Sequence, residues 1–173
     1  MTSRRRFLKV GLFGTALLGV ASIVGRNLSG YVLPHAVALK ALSKKELLVL
    51  AAACERICAP DGPDAPVPDG LAMATWLDGY IAGMDAAVRR DLSALFALLE
   101  HGSSLFRLRA TRFSHMSAEE RDATLADWES SALDVRRQGF QGLRALAFLA
   151  YWRQDRTWPL LGYPGPMVQR VPL

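Results

Sequence analysis

Residues 43–58 read SKKELLVLAAACERIC and predict a helix with a defined start and one apolar face. Ser43 and Glu46 have the spacing of a capping box, in which the hydroxyl accepts a backbone N–H of the first turn and the carboxylate accepts the N–H of the serine. The apolar residues then recur at steps of three and four, as a half-buried helix requires; they are Leu47, Leu50, Ala51, Cys54 and Cys58. Pro60 ends the helix, because a proline disfavours the helical backbone in the residue before it.

The same periodicity predicts four further helices, and no segment alternates apolar and polar residues for long enough to indicate a strand. The helices run from about Asp69 to Gly83, from about Asp85 to Gly102, from Ser117 past Trp128, and from about Ala132 to Arg153. The apolar positions of the first two are Met73, Trp76, Leu77, Tyr80 and Ile81, followed by Val88, Leu92, Leu95, Phe96 and Leu99. The last helix is apolar almost all round between Gly142 and Trp152, so we expect it to be central. The sequence therefore predicts an all-α bundle of about five helices with an irregular C-terminal tail.

The N-terminus, MTSRRRFLKV, has the residue order of a twin-arginine export signal. The residues that carry this signal are Ser3, Arg4, Arg5, Phe7, Leu8 and Lys9. An uncharged run follows at residues 10–25, which is short for a membrane span of about 20 residues, and Ala36 and Ala38 form the small-residue pattern that signal peptidase accepts. We therefore predict a signal peptide over residues 1–38, a mature domain over residues 39–173, and a periplasmic location. The alternatives are an ordinary basic amphipathic N-terminus and an uncleaved leader that anchors the protein to the membrane.

The basic excess of the chain lies in this leader. The chain has 21 basic and 16 acidic residues, and residues 1–38 hold five of the basic residues and none of the acidic ones. The mature domain is therefore neutral. A basic domain would favour nucleic acid or anionic lipid as a partner, but here the positive charge belongs to a targeting segment, and we expect no nucleic-acid partner.

The mature sequence has no recognisable catalytic or metal-binding motif. His101 and His115 lack the second histidine or glutamate that a metal site on a helix provides at a spacing of four. The sequence also has no nucleophile elbow and no glycine-rich loop for a phosphate or dinucleotide. We expect no catalytic, cofactor-binding or metal-ligating residue in this chain.

Cys54 and Cys58 lie four positions apart on the first predicted helix. Their Cα atoms would lie about 6 Å apart, within the range of a disulfide, although the helix restricts the torsion angles. The predicted compartment is oxidising, so a disulfide is one alternative. The others are two buried thiols that pack as small apolar residues, and pairing with another chain.

The C-terminal tail begins at about residue 154 and is rich in aromatic residues, proline and glycine. With the end of the last helix it reads YWRQDRTWPLLGYPGPM over residues 151–167. Rigid aromatic side chains give a binding surface a large contact area at a small entropy cost. We therefore predict a partner-binding segment, with Tyr151, Trp152, Trp158, Tyr163, Pro164, Gly165 and Pro166 as its contact residues. Folding of the tail back onto the bundle is the alternative, and the two are compatible.

Four features of the sequence occur together. They are the twin-arginine leader, the motif RICAPD at residues 56–61, a Trp/Tyr helix after the proline-rich loop at residues 60–68, and the YW…W…GYPGP segment of the tail. In this combination the mature chain resembles, over essentially its whole length, the gluconate 2-dehydrogenase subunit 3 family, the small subunit of membrane-associated flavin dehydrogenases. Cys58 and Ala59 depart from the aliphatic residues expected before the proline, which affects packing.

The resemblance implies a non-catalytic subunit without a cofactor of its own. In that family a large subunit of the glucose–methanol–choline (GMC) oxidoreductase type binds FAD and oxidises a sugar, polyol or sugar acid. A c-type cytochrome often takes the electrons on to quinone, so haem c is a further cofactor of such a complex. An iron–sulfur cluster is another cofactor that the complex can hold. The large subunit commonly lacks a signal and is carried folded through the twin-arginine translocase by the small subunit, which acts as its chaperone. Two alternatives stay open: a free-standing exported binding or scaffold protein, and a small enzyme that acts through Cys54 and Cys58.

Overall fold

The computed structural model describes residues 31, 33, 37–60, 62–107 and 111–166, with the side chains of residues 103–107 outside the description. In these ranges the chain forms five α-helices and no strand, so the predicted all-α fold is confirmed. The helices are α1 (Lys44–Ile57), α2 (Gly70–Ala82), α3 (Ala86–Arg107), α4 (Ala118–Glu129) and α5 (Asp134–Trp152). Two 3-10 helices, Phe113–His115 and Asp155–Leu161, follow α3 and α5. Outside the description lie the predicted signal residues Ser3, Arg4, Arg5, Phe7, Leu8 and Lys9, and Ala36 of the cleavage motif.

The helix starts follow the capping residues of the sequence. The Glu46 N–H donates to Ser43 Oγ at 3.3 Å, and the Ser43 N–H donates to the Glu46 carboxylate at 2.7 Å. Ser117 and Glu120 form the same reciprocal pair at the start of α4. At the start of α2 the carboxylate of Asp69 accepts a first-turn N–H at 2.9 Å. Each such cap stabilises its helix by about 1 kcal/mol, so local sequence sets the starts of at least α1, α2 and α4.

The central helix of the bundle is α1, whereas the sequence predicted the last helix in this role. α1 packs against the four other described helices. Within residues 47–54, every residue except Leu48 is buried, so this helix is enclosed on all sides and not only along one face. Its alanines let neighbouring backbones approach closely: a Cβ on Gly70 of α2 would lie 2.4 Å from the Ala51 carbonyl oxygen.

α5 is amphipathic, in contrast to the prediction of a helix buried all round. Its buried residues are Gly139, Phe140, Leu143, Leu146, Ala147, Ala150 and Tyr151. On the other side Leu149 is 41% exposed.

α3 differs from its prediction at both ends. Val88 belongs to the predicted apolar face of α3 but is 44% exposed in the first turn of that helix. α3 also continues past Gly102, where the prediction ended it, because this glycine is buried against Trp128 of α4.

The Phe113–His115 turn packs against α1 and α3, while the 3-10 helix of the tail packs on α5. Among the described residues, no helix combines the length and the apolar character that a membrane span needs.

Candidate partner-binding surface

The C-terminal tail has a definite structure at the end of α5. Residues Asp155–Leu161 form a 3-10 helix that includes Pro159, where the sequence predicted an irregular segment. The Thr157 side chain is buried, and its hydroxyl donates to the Gln154 carbonyl at 2.7 Å. Gly162 ends the turn in the left-handed conformation, with φ 63°, which glycine adopts without a steric cost. The tail therefore folds back onto its own bundle.

Trp158 holds the tail together. Its indole N–H donates to the Trp152 carbonyl at 3.2 Å, which connects the 3-10 helix to the end of α5. Its ring meets the Tyr163 ring edge-on, with 5.2 Å between the centroids. Gly165 lies against the same ring, and a Cβ at this position would be 3.3 Å from Trp158 Cζ3. Trp158 is partly buried, so it fixes the residues around it as well as contributing surface.

Several apolar side chains of the tail are exposed next to this scaffold. We call them the tail surface, and they are Leu160, Leu161, Tyr163, Pro164 and Pro166. Leu161 is the most exposed of the large ones, at 61%. Exposed apolar side chains that are grouped, unlike single ones, indicate an interaction site.

A second aromatic group lies on α2, where the sequence analysis assigned it to the core. Trp76 and Tyr80 stack with their centroids 5.7 Å apart, and Tyr80 is 46% exposed. The guanidinium of Arg153 lies over the Trp76 ring at 4.5 Å, a cation–π contact between α2 and the residue that precedes the tail. The sequence contains a sign of this arrangement. Leu77 and Ile81 fill the core positions of α2, so Trp76 and Tyr80, which precede them, lie at the edge of its apolar face.

Tyr151 does not belong to this surface, although the sequence predicts it as a contact residue. The residue is buried in the bundle, and its hydroxyl donates to the Pro66 carbonyl at 2.8 Å. It therefore fixes the proline-rich loop to α5. Of the other predicted contact residues, Trp152, Trp158 and Gly165 are partly buried, whereas Tyr163, Pro164 and Pro166 are exposed.

Both cysteines are free, buried thiols in α1 and directly after it. Burial raises the pKa of Cys58 to about 12 and that of Cys54 further, so that both stay protonated near neutral pH. The thiolate is the nucleophilic form, and this environment therefore favours packing over reaction. This arrangement matches the packed-thiol alternative of the sequence analysis.

The described part of the chain also has a cavity of about 320 Å³ between α1, α2 and the Phe113–His115 turn. Arg121 crosses its wall, where its guanidinium contacts the Glu55 carboxylate at 3.2 Å and donates to the Ser114 carbonyl at 3.0 Å. Its Nε is buried without a hydrogen-bond partner there. The described ranges contain no group of three or more histidine, cysteine, aspartate or glutamate side chains that could hold a metal ion.

Comparison with known proteins finds no match to a protein-family model, a curated protein or a solved structure.

Proposed function

We propose that this chain is the non-catalytic small subunit of a periplasmic FAD-dependent dehydrogenase of the GMC type. In this role it carries the folded catalytic subunit through the twin-arginine translocase and then stabilises it. The observation that carries the proposal is the tail surface, a set of exposed apolar side chains next to a tryptophan that fixes the tail to the bundle.

The intrachain contacts of Trp158 support a binding role. An interface formed from loose side chains loses binding free energy when those side chains become ordered. Here Trp158 holds Tyr163 and Gly165 before any partner arrives. Apolar and aromatic side chains on a rigid segment are typical of the central contacts of protein interfaces.

The export signal supports the carrier role. A flavoprotein acquires its FAD by folding around it, and the twin-arginine route is the one that accepts folded cargo. A partner without its own signal then needs a bound subunit that has one. Substrate oxidation and FAD binding belong to the partner in this proposal, together with any haem c or iron–sulfur cluster of the complex. In this proposal the small subunit binds only the folded form of the partner, and this binding stabilises the folded form by mass action.

The test compares two substitutions of exposed apolar residues by aspartate. Leu161→Asp places a charge in the tail surface, whereas Val88→Asp places one in the first turn of α3, where an acidic residue is compatible with the helix dipole. The full chain and both variants are purified through a C-terminal tag from the native host, and the visible spectrum and co-eluting chains are recorded. We expect a flavin spectrum and a large dehydrogenase chain with the wild type and Val88→Asp, and their loss with Leu161→Asp.

Two results would contradict the proposal. A flavoprotein that co-elutes equally with Leu161→Asp would show that the tail surface is not the binding site. A colourless single chain from the wild type would favour the alternative, a free-standing exported binding or scaffold protein.

A further inference from the structure

Residues that precede the predicted cleavage site pack against the bundle. The Tyr31 hydroxyl donates to Glu100 of α3 at 2.7 Å. The Arg112 guanidinium lies 5.4 Å from the centre of the Tyr31 ring, and the ring of His115 meets it edge-on at 5.8 Å. Leu33 is partly buried against the hydrophobic core. By their contacts these residues belong to the folded domain, although the sequence alone places them in the leader.

The Tyr31 hydroxyl is a hydrogen-bond donor to a buried carboxylate. The Glu100 side chain has no exposed surface. Its carboxylate accepts the Ser114 hydroxyl at 2.7 Å and the Ser114 N–H at 2.9 Å, and the Tyr31 hydroxyl is the third donor that the described residues supply. A buried carboxylate without its full set of donors destabilises a fold. The bundle therefore gains stability from keeping Tyr31.

The chain that follows the predicted cleavage site is also fixed. The carboxylate of Asp78, buried in α2, accepts the backbone N–H groups of Lys40, Ala41 and Leu42 at 2.6, 2.9 and 2.7 Å. Leu42 is buried, and Leu39 packs in part against the core. Although burial by itself raises the pKa of Asp78, these three hydrogen bonds hold it below its ordinary value. Asp78 therefore accepts these hydrogen bonds as a carboxylate over most of the pH range.

We propose that Tyr31, Leu33 and residues 37–42 form an N-terminal strap that remains part of the exported protein, because its attachment to the folded bundle prevents cleavage after Ala38. A peptidase needs the residues on both sides of the scissile bond in an extended, accessible form, and proteolysis of native proteins concentrates where the chain is free. Ala38 itself is exposed, but the chain is attached to the bundle on both sides of it. A twin-arginine substrate folds before export, so the strap is attached before the peptidase meets it.

A retained strap replaces the cleavage after Ala38 that the sequence alone predicts. Its retention rests on the predicted export signal and on the strap contacts, and not on the identity of any partner. A chain that keeps the strap can also keep the uncharged run of residues 10–25.

The test determines where the exported chain begins. The full chain with a C-terminal tag is recovered from the periplasmic and membrane fractions, and its intact mass and N-terminal sequence are measured. We expect an N-terminus at or before Tyr31. A wild-type chain that begins at Leu39 would overturn the proposal.

Variants of the strap separate its effect from poor recognition of the site by the peptidase. Tyr31→Phe removes the donor to Glu100, and Leu33→Ser removes an apolar contact, while both leave Ala36 and Ala38 unchanged. We expect the double variant to show at least a tenfold rise in the fraction that begins at Leu39, and the control Val88→Ser, which changes an exposed apolar side chain of α3, to behave as wild type. A double variant that stays as uncut as the wild type would also overturn the proposal. Neither result depends on a co-eluting flavoprotein, so the strap and the proposed function fail separately.

Discussion

Replacement of Trp158 by alanine should loosen the tail while leaving the five helices folded. The change removes the hydrogen bond from the indole to the Trp152 carbonyl and the edge-on contact with Tyr163. A hydrogen bond of this kind contributes about 1 kcal/mol and an aromatic pair about 1 kcal/mol. The Tyr163 N–H donates to the Trp158 carbonyl at 3.1 Å, so its exchange with solvent reports the local opening of the tail. A loss of about 2 kcal/mol corresponds to about a 30-fold faster exchange of this amide.

The assay is native-state hydrogen exchange of the tail amides, combined with thermal unfolding of the whole domain and binding to the purified partner. Trp158→Phe is the matched control, because it keeps an aromatic ring but loses the indole N–H, and we expect about a fivefold effect from the loss of about 1 kcal/mol. Binding should weaken in the same order, with alanine worse than phenylalanine. Unchanged exchange of the Tyr163 amide in Trp158→Ala would refute the view that Trp158 orders the tail. An unchanged complex would refute the view that an ordered tail binds the partner.

Three further outcomes are expected. Gly70→Ala should lower the free energy of unfolding by about 1–3 kcal/mol, because the new Cβ would lie 2.4 Å from the Ala51 carbonyl oxygen; an unchanged midpoint of thermal unfolding would contradict this close packing. The low folded-state pKa of Asp78 contributes stability above its unfolded pKa of about 3.9 and loses it as the pH falls through the folded value. Asp78→Asn should therefore reduce the fall in the free energy of unfolding as the pH is lowered. An equally steep fall in the variant would show that other groups cause it. Replacement of Arg4 and Arg5 by lysine should retain both this protein and the dehydrogenase proposed as its partner in the cytoplasm, as measured by cell fractionation; a partner that still reaches the periplasm would refute the proposed carrier role.

Local sequence chemistry predicts most of the helices of this bundle. The capping pairs that begin at Ser43 and Ser117 form as expected, because they depend on residues only three positions apart. The choice of central helix depends instead on which neighbours approach, and periodicity does not report this. An alanine-rich helix such as α1 looks half-apolar in sequence but is enclosed by four neighbours in the structure.

The candidate surface was predicted in part. The aromatic tail is visible in the sequence, and Tyr163, Pro164 and Pro166 are exposed in the structure. Tyr151 was wrongly included, because its partner is a backbone carbonyl of Pro66, 85 positions away, for which no local signal exists. The contacts of Tyr31 and Asp78 were missed for the same reason, since each joins residues more than 35 positions apart.

During synthesis, α1 is made before the helices that enclose it. α1 leaves the ribosome before the helices that cover it, and α5 leaves last. At a translation rate of about 10 residues per second, the apolar surface of α1 stays uncovered by α5 for about 10 s. The predicted export signal leaves the ribosome before α1, so it is accessible while the domain cannot yet fold. Under the proposed export route, synthesis of α5 therefore sets the earliest time at which the domain is ready for export, and a chain truncated before α5 would carry the predicted signal on a domain whose central helix is uncovered.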